Sequence, residues 1–279
     1  MLLISIFTFI LGAVIGSFLN VCILRLPQDQ SVVRPRSHCP KCGNLIKAYD
    51  NIPIFSYLVL RGRCRSCKTS ISFLYPLVEL LTGLMFLACL WSFGFTLDAV
   101  KNAVLGCLLI VLIFTDIKFR LLPNEITICG MLAGLVFSVF VPVRDQSLEA
   151  IVSLLSPFVP RAATWIPWAH SSLLNSVMGA LFGSGILFLV GELYFWIRRV
   201  EGMGMGDVKM MGMVGAFLGI KLTFFTIMFG SLLGTVFGII AILRHQKDLQ
   251  YELPFGTFLG TAALLLAFIG GLLLQFILP

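Results

Sequence analysis

The stretch MLLISIFTFILGAVIGSFLNVCIL, residues 1–24, contains no charged side chain. A helix needs about 20 predominantly apolar residues to cross a bilayer, so this stretch predicts a membrane span. It has neither a basic N-terminal region nor an A-x-A cleavage site, and it is long for the apolar part of a signal peptide. We therefore expect it to be retained as the first transmembrane helix.

The composition of the whole chain agrees with this interpretation. Of its 279 residues, 58% are hydrophobic and 12% are charged, whereas an average globular protein has about 25% charged residues. So few charges cannot cover a soluble surface, which excludes an ordinary soluble domain. The predicted fold class is all-α integral membrane, a polytopic bundle of about eight transmembrane helices at 1–24, 74–93, 99–115, 125–141, 173–196, 206–220, 222–243 and 255–278.

The Lys and Arg residues predict how this bundle lies in the membrane. With the N-terminus outside, 16 of the 20 basic residues fall in the inner segments 25–73, 116–124, 197–209 and 244–254. Cytoplasmic loops carry such an excess, so we expect both termini on the periplasmic side of a bacterial inner membrane. The net charge of +7 then reflects basic loops at an anionic lipid surface, and no nucleic-acid partner is expected.

Two long loops divide the chain into a first helix at 1–24, a polar cytoplasmic domain at 25–73 and a membrane core at 74–279. Within the core, an outer loop at 142–172 contains Trp165, Pro167 and Trp168 among apolar residues. Indole rings favour the headgroup level of a membrane. This composition suggests a segment that lies on the outer membrane face; a plain connector is the alternative.

Two C-x-x-C units lie in the polar domain, one formed by Cys39 and Cys42 and the other by Cys64 and Cys67. Two such turns can close a tetrahedral Zn²⁺ site, which is structural because four protein ligands leave no open position. Disulfides do not fit a reducing cytoplasmic loop, and no βαβ pattern indicates a thioredoxin-like pair; iron–sulfur ligation stays open. Since a domain of about 49 residues can hardly build its own core, we expect one zinc ion to supply much of its folding energy.

Two aspartates end or begin apolar runs at the predicted cytoplasmic membrane edge. Asp116 follows GCLLIVLIFT and begins Asp116-Ile-Lys118, and Asp207 begins Asp207-Val-Lys209. Ionisable groups at membrane depth are costly and indicate function. Two carboxylates from different helices can share one proton and act as base and acid on a water and a scissile carbonyl. The alternative is that each aspartate only pairs with the lysine two residues on.

Glycines alternate with methionines directly before Asp207. Because glycine has no Cβ, the backbone there can turn sharply and approach an extended substrate. No strand precedes this segment and no GK[ST] follows it, which argues against a phosphate-binding loop. Gly204, Gly206 and Lys209 are therefore the candidate residues of a substrate-binding loop.

Together these features resemble the bacterial prepilin peptidases, the bifunctional leader peptidase and N-methyltransferase family. The resemblance covers nearly the whole chain. Its motifs are, in order, Gly16-Ser-Phe-Leu-Asn20-Val, the two C-x-x-C units with Asn51-Ile-Pro-Ile-Phe-Ser-Tyr57 between them, Tyr75-Pro-Leu-Val-Glu79, Asp116 with Leu122-Pro123, Gly204-Met-Gly206-Asp207 and Pro254-Phe-Gly256.

The resemblance implies a membrane aspartyl protease of the GxGD kind, with Asp116 and Asp207 as its catalytic pair. Its substrates would be prepilins or pseudopilins, cut just after a glycine that separates a short basic leader from an apolar N-terminal helix. The resemblance also implies methylation of the new N-terminal residue with S-adenosylmethionine as methyl donor. Gly62 and Glu79 are the candidate residues for this second activity.

Two other functions stay open on the sequence. A leader peptidase without methyltransferase activity would use the zinc domain only for structure or for binding substrate. A metal or solute transporter would place the two aspartates on its pathway, although the chain shows no inverted repeat and no broken helices in corresponding halves.

Overall fold

The computed structural model describes residues 1–142, 168–200, 202–245 and 253–277, and most of the predicted outer loop 142–172 lies outside these ranges. The described residues are largely helical and form two isolated β-bridges but no strand. The helices are α1 Leu2–Arg25, α2 Phe55–Val59, α3 Leu74–Phe93, α4 Leu97–Phe119, α5 Asn124–Phe140, α6 Trp168–Arg198, α7 Met205–His245 and α8 Phe255–Ile277, with 3₁₀ turns at Leu26–Gln28 and Ala48–Asn51.

The helices have the length and hydropathy of membrane spans, which confirms the predicted all-α membrane class. The total of eight spans stays a prediction. Among the described residues, five segments are long and apolar enough to cross a bilayer: Leu2–Gln28, Leu74–Phe93, Leu97–Phe119, Ser172–Arg198 and Met205–Ala241. Two shorter apolar helices are Asn124–Phe140 and Phe255–Gly270.

The predicted spans 206–220 and 222–243 both lie within α7. The helix is interrupted at Gly219, where φ is 79° and ψ is −178°. Residues with a Cβ rarely adopt a positive φ of this kind, so the interruption depends on glycine. The kink therefore lies close to the predicted boundary between the two spans.

By internal packing the chain divides into two units, Met1–Val111 and Leu112–Pro279. In the first unit α1 packs against α3. A Cβ on Gly16 would lie 2.8 Å from the Cα of Glu79, so these two helices approach closely, as small residues allow in membrane bundles. Near the end of α1, the side chain of Asn20 donates a 3.0 Å hydrogen bond to the carbonyl of Tyr75. These contacts hold together the two helices that flank residues 26–73.

Helix α7 forms the core of the second unit, where α5, α6 and α8 pack around it. Its first half is buried on most sides, whereas its second half exposes large apolar side chains such as Phe224, Leu232 and Phe237. Its first turn, which carries Asp207, is thereby held among neighbouring helices. The largest fully buried side chains of its first half are Met210, Met211, Met213, Val214 and Phe217.

The turn between α4 and α5 agrees with the sequence expectation. Helix α4 ends at Phe119, three residues after Asp116, and α5 begins at Asn124 directly after Pro123. Proline fits a helix start because its missing N–H is not needed there. The last turn of α4 thus carries Asp116, and the first turn of α7 carries Asp207.

Candidate active site

The two aspartates are among the few buried charged residues of the described chain. Asp116 lies in the last turn of α4 and is 5% exposed, and Asp207 is the third residue of α7 and is 9% exposed. A carboxyl group in such surroundings is costly unless other groups satisfy it. Their neighbours therefore decide what the pair can do.

Both carboxyl groups converge on Gly256, the second residue of α8. A Cβ built on Gly256 would lie 2.8 Å from Oδ1 of Asp207 and 3.2 Å from Oδ2 of Asp116, so these oxygens are at most 6.0 Å apart, the sum of the two distances. The structure thus brings together the two aspartates that the sequence singled out. A water or a peptide group can contact both carboxyl groups at this spacing.

Thr257 is the second contribution of α8 to the site. Its backbone N–H and its hydroxyl donate hydrogen bonds of 2.6 and 2.8 Å to Oδ2 of Asp116. Sequence reasoning assigned no role to Gly256 or Thr257. The signal in the sequence that points to this position is the motif Pro254-Phe-Gly256, one of those that carry the family resemblance.

The lysines of the two D-x-K motifs do not pair with their aspartates. Lys209 donates a 2.7 Å hydrogen bond to the side-chain oxygen of Asn124 at the start of α5. Lys118 lies with its ammonium group 5.1 Å from the centre of the Phe119 ring. Simple anchoring of each aspartate by its own lysine therefore does not explain the motif in this structure.

The two glycines before Asp207 differ in their surroundings, because Gly206 packs closely against Leu122 whereas Gly204 is exposed. A Cβ on Gly206 would lie 2.9 Å from Cβ of Leu122, and the Cβ position of Gly256 is 3.1 Å from Cδ1 of the same leucine. Gly204 is exposed, and its Cβ position lies 3.8 Å from Oδ2 of Asp207. The segment at Gly204 is therefore an open edge beside a buried carboxyl group.

The first unit contains a second candidate site, formed by the four cysteines of the C-x-x-C units. Their Sγ atoms all lie within 4.8 Å of one another, and Sγ of Cys39 is 3.8 Å from Sγ of Cys67. The four residues can hold a metal ion, as predicted for Cys39, Cys42, Cys64 and Cys67.

The two cysteine turns share one hydrogen-bond pattern. The N–H of Cys39 donates to the carbonyl of Asn44, 2.9 Å, and the N–H of Cys64 donates to the carbonyl of Thr69, 2.8 Å. Hydrogen bonds from the backbone N–H groups of Cys42 and Lys41 lower the pKa of the Cys39 thiol to about 6. The backbone N–H of Asn44 acts in the same direction on Cys42, but burial and the neighbouring cysteines raise the pKa of that thiol to about 11. Thiolates are the metal-binding form of cysteine, so the backbone of the first turn favours metal ligation.

An ion pair braces the second cysteine turn. Arg65 donates hydrogen bonds from Nε and Nη2 to Asp50, the shortest of them 2.6 Å, and its guanidinium lies 5.4 Å from the centre of the Tyr49 ring. The hydrogen bonds from Arg65 lower the pKa of the Asp50 carboxyl group. This contact ties the turn at Cys64 to the 3₁₀ turn at Ala48–Asn51.

Gly62 belongs to the chain between the two cysteine turns, and Glu79 contacts that chain from α3. Glu79 is 8% exposed, and its Oε2 accepts a 2.7 Å hydrogen bond from the N–H of Ile54. Gly62 has a φ of 65°, and a Cβ there would lie 2.9 Å from the hydroxyl oxygen of Tyr57. Glu79 thus holds the segment that connects the metal ligands, and the absence of a side chain at Gly62 lets that segment pack against its own Tyr57.

Comparison with known proteins follows the same division of the chain. Residues 10–93 match the bacterial peptidase A24 N-terminal domain, and residues 103–239 match the type IV leader peptidase family. Curated relatives come from Myxococcus xanthus (40% identical over 246 residues), Pseudomonas aeruginosa (32% over 278) and Neisseria gonorrhoeae (35% over 266), and each is described as a prepilin leader peptidase/N-methyltransferase. The matched regions cover 88%, 91% and 87% of this chain, and 65%, 87% and 84% of the three relatives. A comparison with solved structures found no significant match.

The helices and the converging carboxyl groups define a helical membrane protein with an acidic site inside a bundle. The chain belongs to the type IV leader peptidase family. It is a multi-pass enzyme of the bacterial inner membrane, and the resemblance that the sequence motifs carry is confirmed.

Proposed function

We propose that this chain is an aspartyl endopeptidase that removes the leader of type IV prepilins or pseudopilins and then methylates the new N-terminus. The observation that carries the first activity is the convergence of Asp116 and Asp207 on Gly256. The family and the descriptions of its curated relatives support both activities.

The proposed chemistry uses the two carboxyl groups unequally. Like charges at close range cannot both stay ionised, so such a pair holds one proton between two groups. The ionised carboxylate takes a proton from the attacking water, and the protonated carboxyl donates to the scissile carbonyl oxygen. Gly204 and Gly206 would let an extended substrate backbone approach the pair, and Lys209 holds this segment through Asn124.

The proposed substrate places its scissile bond at the membrane edge. A short basic leader stays in the cytoplasm, while the apolar helix that follows the cleaved glycine stays in the bilayer. Both aspartates lie at the ends of apolar helices, Asp116 in the last turn of α4 and Asp207 in the first turn of α7. The excess of Lys and Arg in the proposed inner segments supports a cytoplasmic location for the aspartates and the cysteine domain, with both termini periplasmic.

The metal of the cysteine site is proposed to be one structural zinc ion. Zn–S bonds of about 2.3 Å in a tetrahedron place the sulfurs about 3.8 Å apart, and Cys39 and Cys67 have this spacing. Four thiolates complete the coordination, so the ion would stabilise residues 26–73 and would not take part in hydrolysis.

Methyl transfer is proposed to involve Gly62 and Glu79. S-adenosylmethionine would supply the methyl group for the free amine that cleavage exposes. The support is that Glu79 accepts a hydrogen bond from the N–H of Ile54, in the segment between the cysteine turns, and that Gly62 of the same segment closely approaches Tyr57.

One experiment tests both activities. The full chain, purified in detergent, is incubated with a prepilin and methyl-labelled S-adenosylmethionine, and the product is analysed by mass and by label. We expect a shortened product that carries the label. A shortened but unlabelled product would contradict the methyltransferase activity, and an intact prepilin with folded, metal-loaded enzyme would contradict the peptidase.

A further inference from the structure

We propose that Thr257 is a positioning residue that makes Asp116 the ionised member of the pair and leaves the shared proton on Asp207. This inference rests on the proposed peptidase function and deepens it, because it assigns different roles to two residues of the same type.

The inference starts from the hydrogen bonds at Asp116. Thr257 directs two donors, its N–H and its hydroxyl, at the single oxygen Oδ2, with distances of 2.6 and 2.8 Å. Hydrogen bonds from neutral donors to a carboxylate are strong because the acceptor carries the charge, and they favour the ionised form over the protonated one.

Asp207 has different surroundings. Among the described residues no hydrogen-bond donor reaches its carboxyl group, while its Oδ1 faces the gap beside Gly256 that it shares with Asp116. The nearest basic side chain of its own helix, Lys209, is engaged with Asn124. A protonated carboxyl group at Asp207 needs no donor and can itself donate into the gap. The one proton that the pair can hold therefore lies on Asp207.

This assignment fixes the order of proton transfers. Asp116 takes a proton from water as the water oxygen bonds to the scissile carbonyl carbon, and Asp207 gives its proton to the carbonyl oxygen. The resulting diol then loses its C–N bond: the leaving nitrogen takes the proton from Asp116, and one hydroxyl of the diol returns a proton to Asp207. One water is consumed, and both aspartates regain their starting forms.

The competing explanation is purely structural. Thr257 lies in the first turn of α8, so Asp116 could serve only as a cap for the N–H groups at that helix end. In that case the N–H bond would matter for folding, and the hydroxyl would add only a small stabilisation.

Three variants separate these explanations. Thr257→Val removes the hydroxyl but keeps the side-chain shape and the backbone N–H, and Thr257→Ser restores the hydroxyl. Thr261→Val is the matched control, because within the described part of the chain the hydroxyl of Thr261 bonds to two carbonyls of its own helix, those of Thr257 and Phe258. Each full-length variant is purified in detergent, its thermal midpoint is measured, and kcat and KM for prepilin cleavage are determined. Asp116→Asn is included as the reference for the proposed function.

We expect Thr257→Val to lower kcat roughly 10- to 100-fold, the loss typical of one hydrogen bond to a charged group, with KM within about threefold of wild type. Thr257→Ser should keep most of the activity, and Thr261→Val should match wild type. Wild-type kcat in Thr257→Val would overturn the role of Thr257, as would equal losses in the Val and Ser variants. Wild-type cleavage by Asp116→Asn would instead overturn the peptidase proposal itself.

Discussion

Asp207 lies so close to Gly256 that a methyl group on that glycine would be 2.8 Å from Oδ1 of the aspartate. A carbon atom and an oxygen atom that are not bonded to each other do not approach so closely. Any side chain at position 256 must therefore displace the carboxyl group of Asp207. The identity of Gly256 is thus set by the space that the two aspartates need, and α8 is a third helix of the site.

Gly256→Ala should therefore impair cleavage without unfolding the protein. The obstructing atom is the end of a side chain that can rotate away, so the fold can adjust, but a misplacement of about 1 Å at a reacting group can cost on the order of 100-fold in rate. We expect a loss of this size in kcat/KM and a thermal midpoint close to that of wild type. Gly185→Ala is the control, because a Cβ on Gly185 meets no atom within 4 Å; equal activity of the two variants would contradict the argument.

Removal of metal ligands should affect the first unit selectively. The double variant Cys39→Ser and Cys42→Ser leaves two thiolates, which cannot hold a tetrahedral ion, so residues 26–73 lose the metal's contribution to folding. We expect one zinc per wild-type chain by elemental analysis, none in the variant, and a larger loss of methylation than of cleavage. Cys129→Ser, at a cysteine outside the cluster, should retain the metal and both activities. Bound iron, or equal loss of both activities with the metal retained, would contradict this prediction.

Variants at Glu79 should separate its charge from its hydrogen bond. Glu79→Gln keeps a side-chain oxygen that can accept the N–H of Ile54, whereas Glu79→Ala leaves that N–H without its 2.7 Å partner. We expect Glu79→Gln to lower methylation of a pre-cleaved pilin at least about 10-fold, because methyl transfer is proposed to need the charge of Glu79. The thermal midpoint should fall in Glu79→Ala and stay near wild type in Glu79→Gln. Full methylation by the Gln variant would exclude a role for the charge and leave Glu79 as a support for the Ile54 segment.

The proposed orientation can be tested by labelling single introduced cysteines in intact and permeabilised cells. Ser37→Cys should react only after the inner membrane is permeabilised, since 25–73 is proposed to be cytoplasmic. Ser147→Cys, in the predicted outer loop, should react with an impermeant reagent from the periplasm. The reverse pattern would overturn the positive-inside assignment.

Much of the fold could be predicted from the sequence because lipid imposes a simple rule on it. Helices that cross a membrane must be long and apolar, so the predicted span 74–93 agrees with α3, Leu74–Phe93. Local spacing also singled out the C-x-x-C units, whose sulfurs the structure clusters. The sequence predicts two spans, 206–220 and 222–243, where the structure has one helix, α7, that departs from helical geometry at Gly219, within two residues of the predicted boundary.

The parts that could not be predicted depend on which helices pack together. Nothing local to Gly256 or Thr257 indicates that α8 begins beside two aspartates from elsewhere in the chain. The D-x-K spacing leaves open that each lysine pairs with its own aspartate, but Lys209 instead donates a hydrogen bond to Asn124 at the start of another helix. The partners of Thr257 and Lys209 depend on how α4, α5, α7 and α8 pack together, and hydropathy does not encode that packing.

The most direct test of the catalytic pair is prepilin cleavage by Asp116→Asn and Asp207→Asn, measured with enzyme in excess so that a single turnover is observed. Each change keeps the size of the side chain but removes its ability to exchange a proton. We predict that both variants lose detectable cleavage while the bound metal and the thermal midpoint stay near wild type, and that Asp98→Asn, in the first turn of α4, remains active. Cleavage near the wild-type rate by either Asp116→Asn or Asp207→Asn would contradict the proposed mechanism.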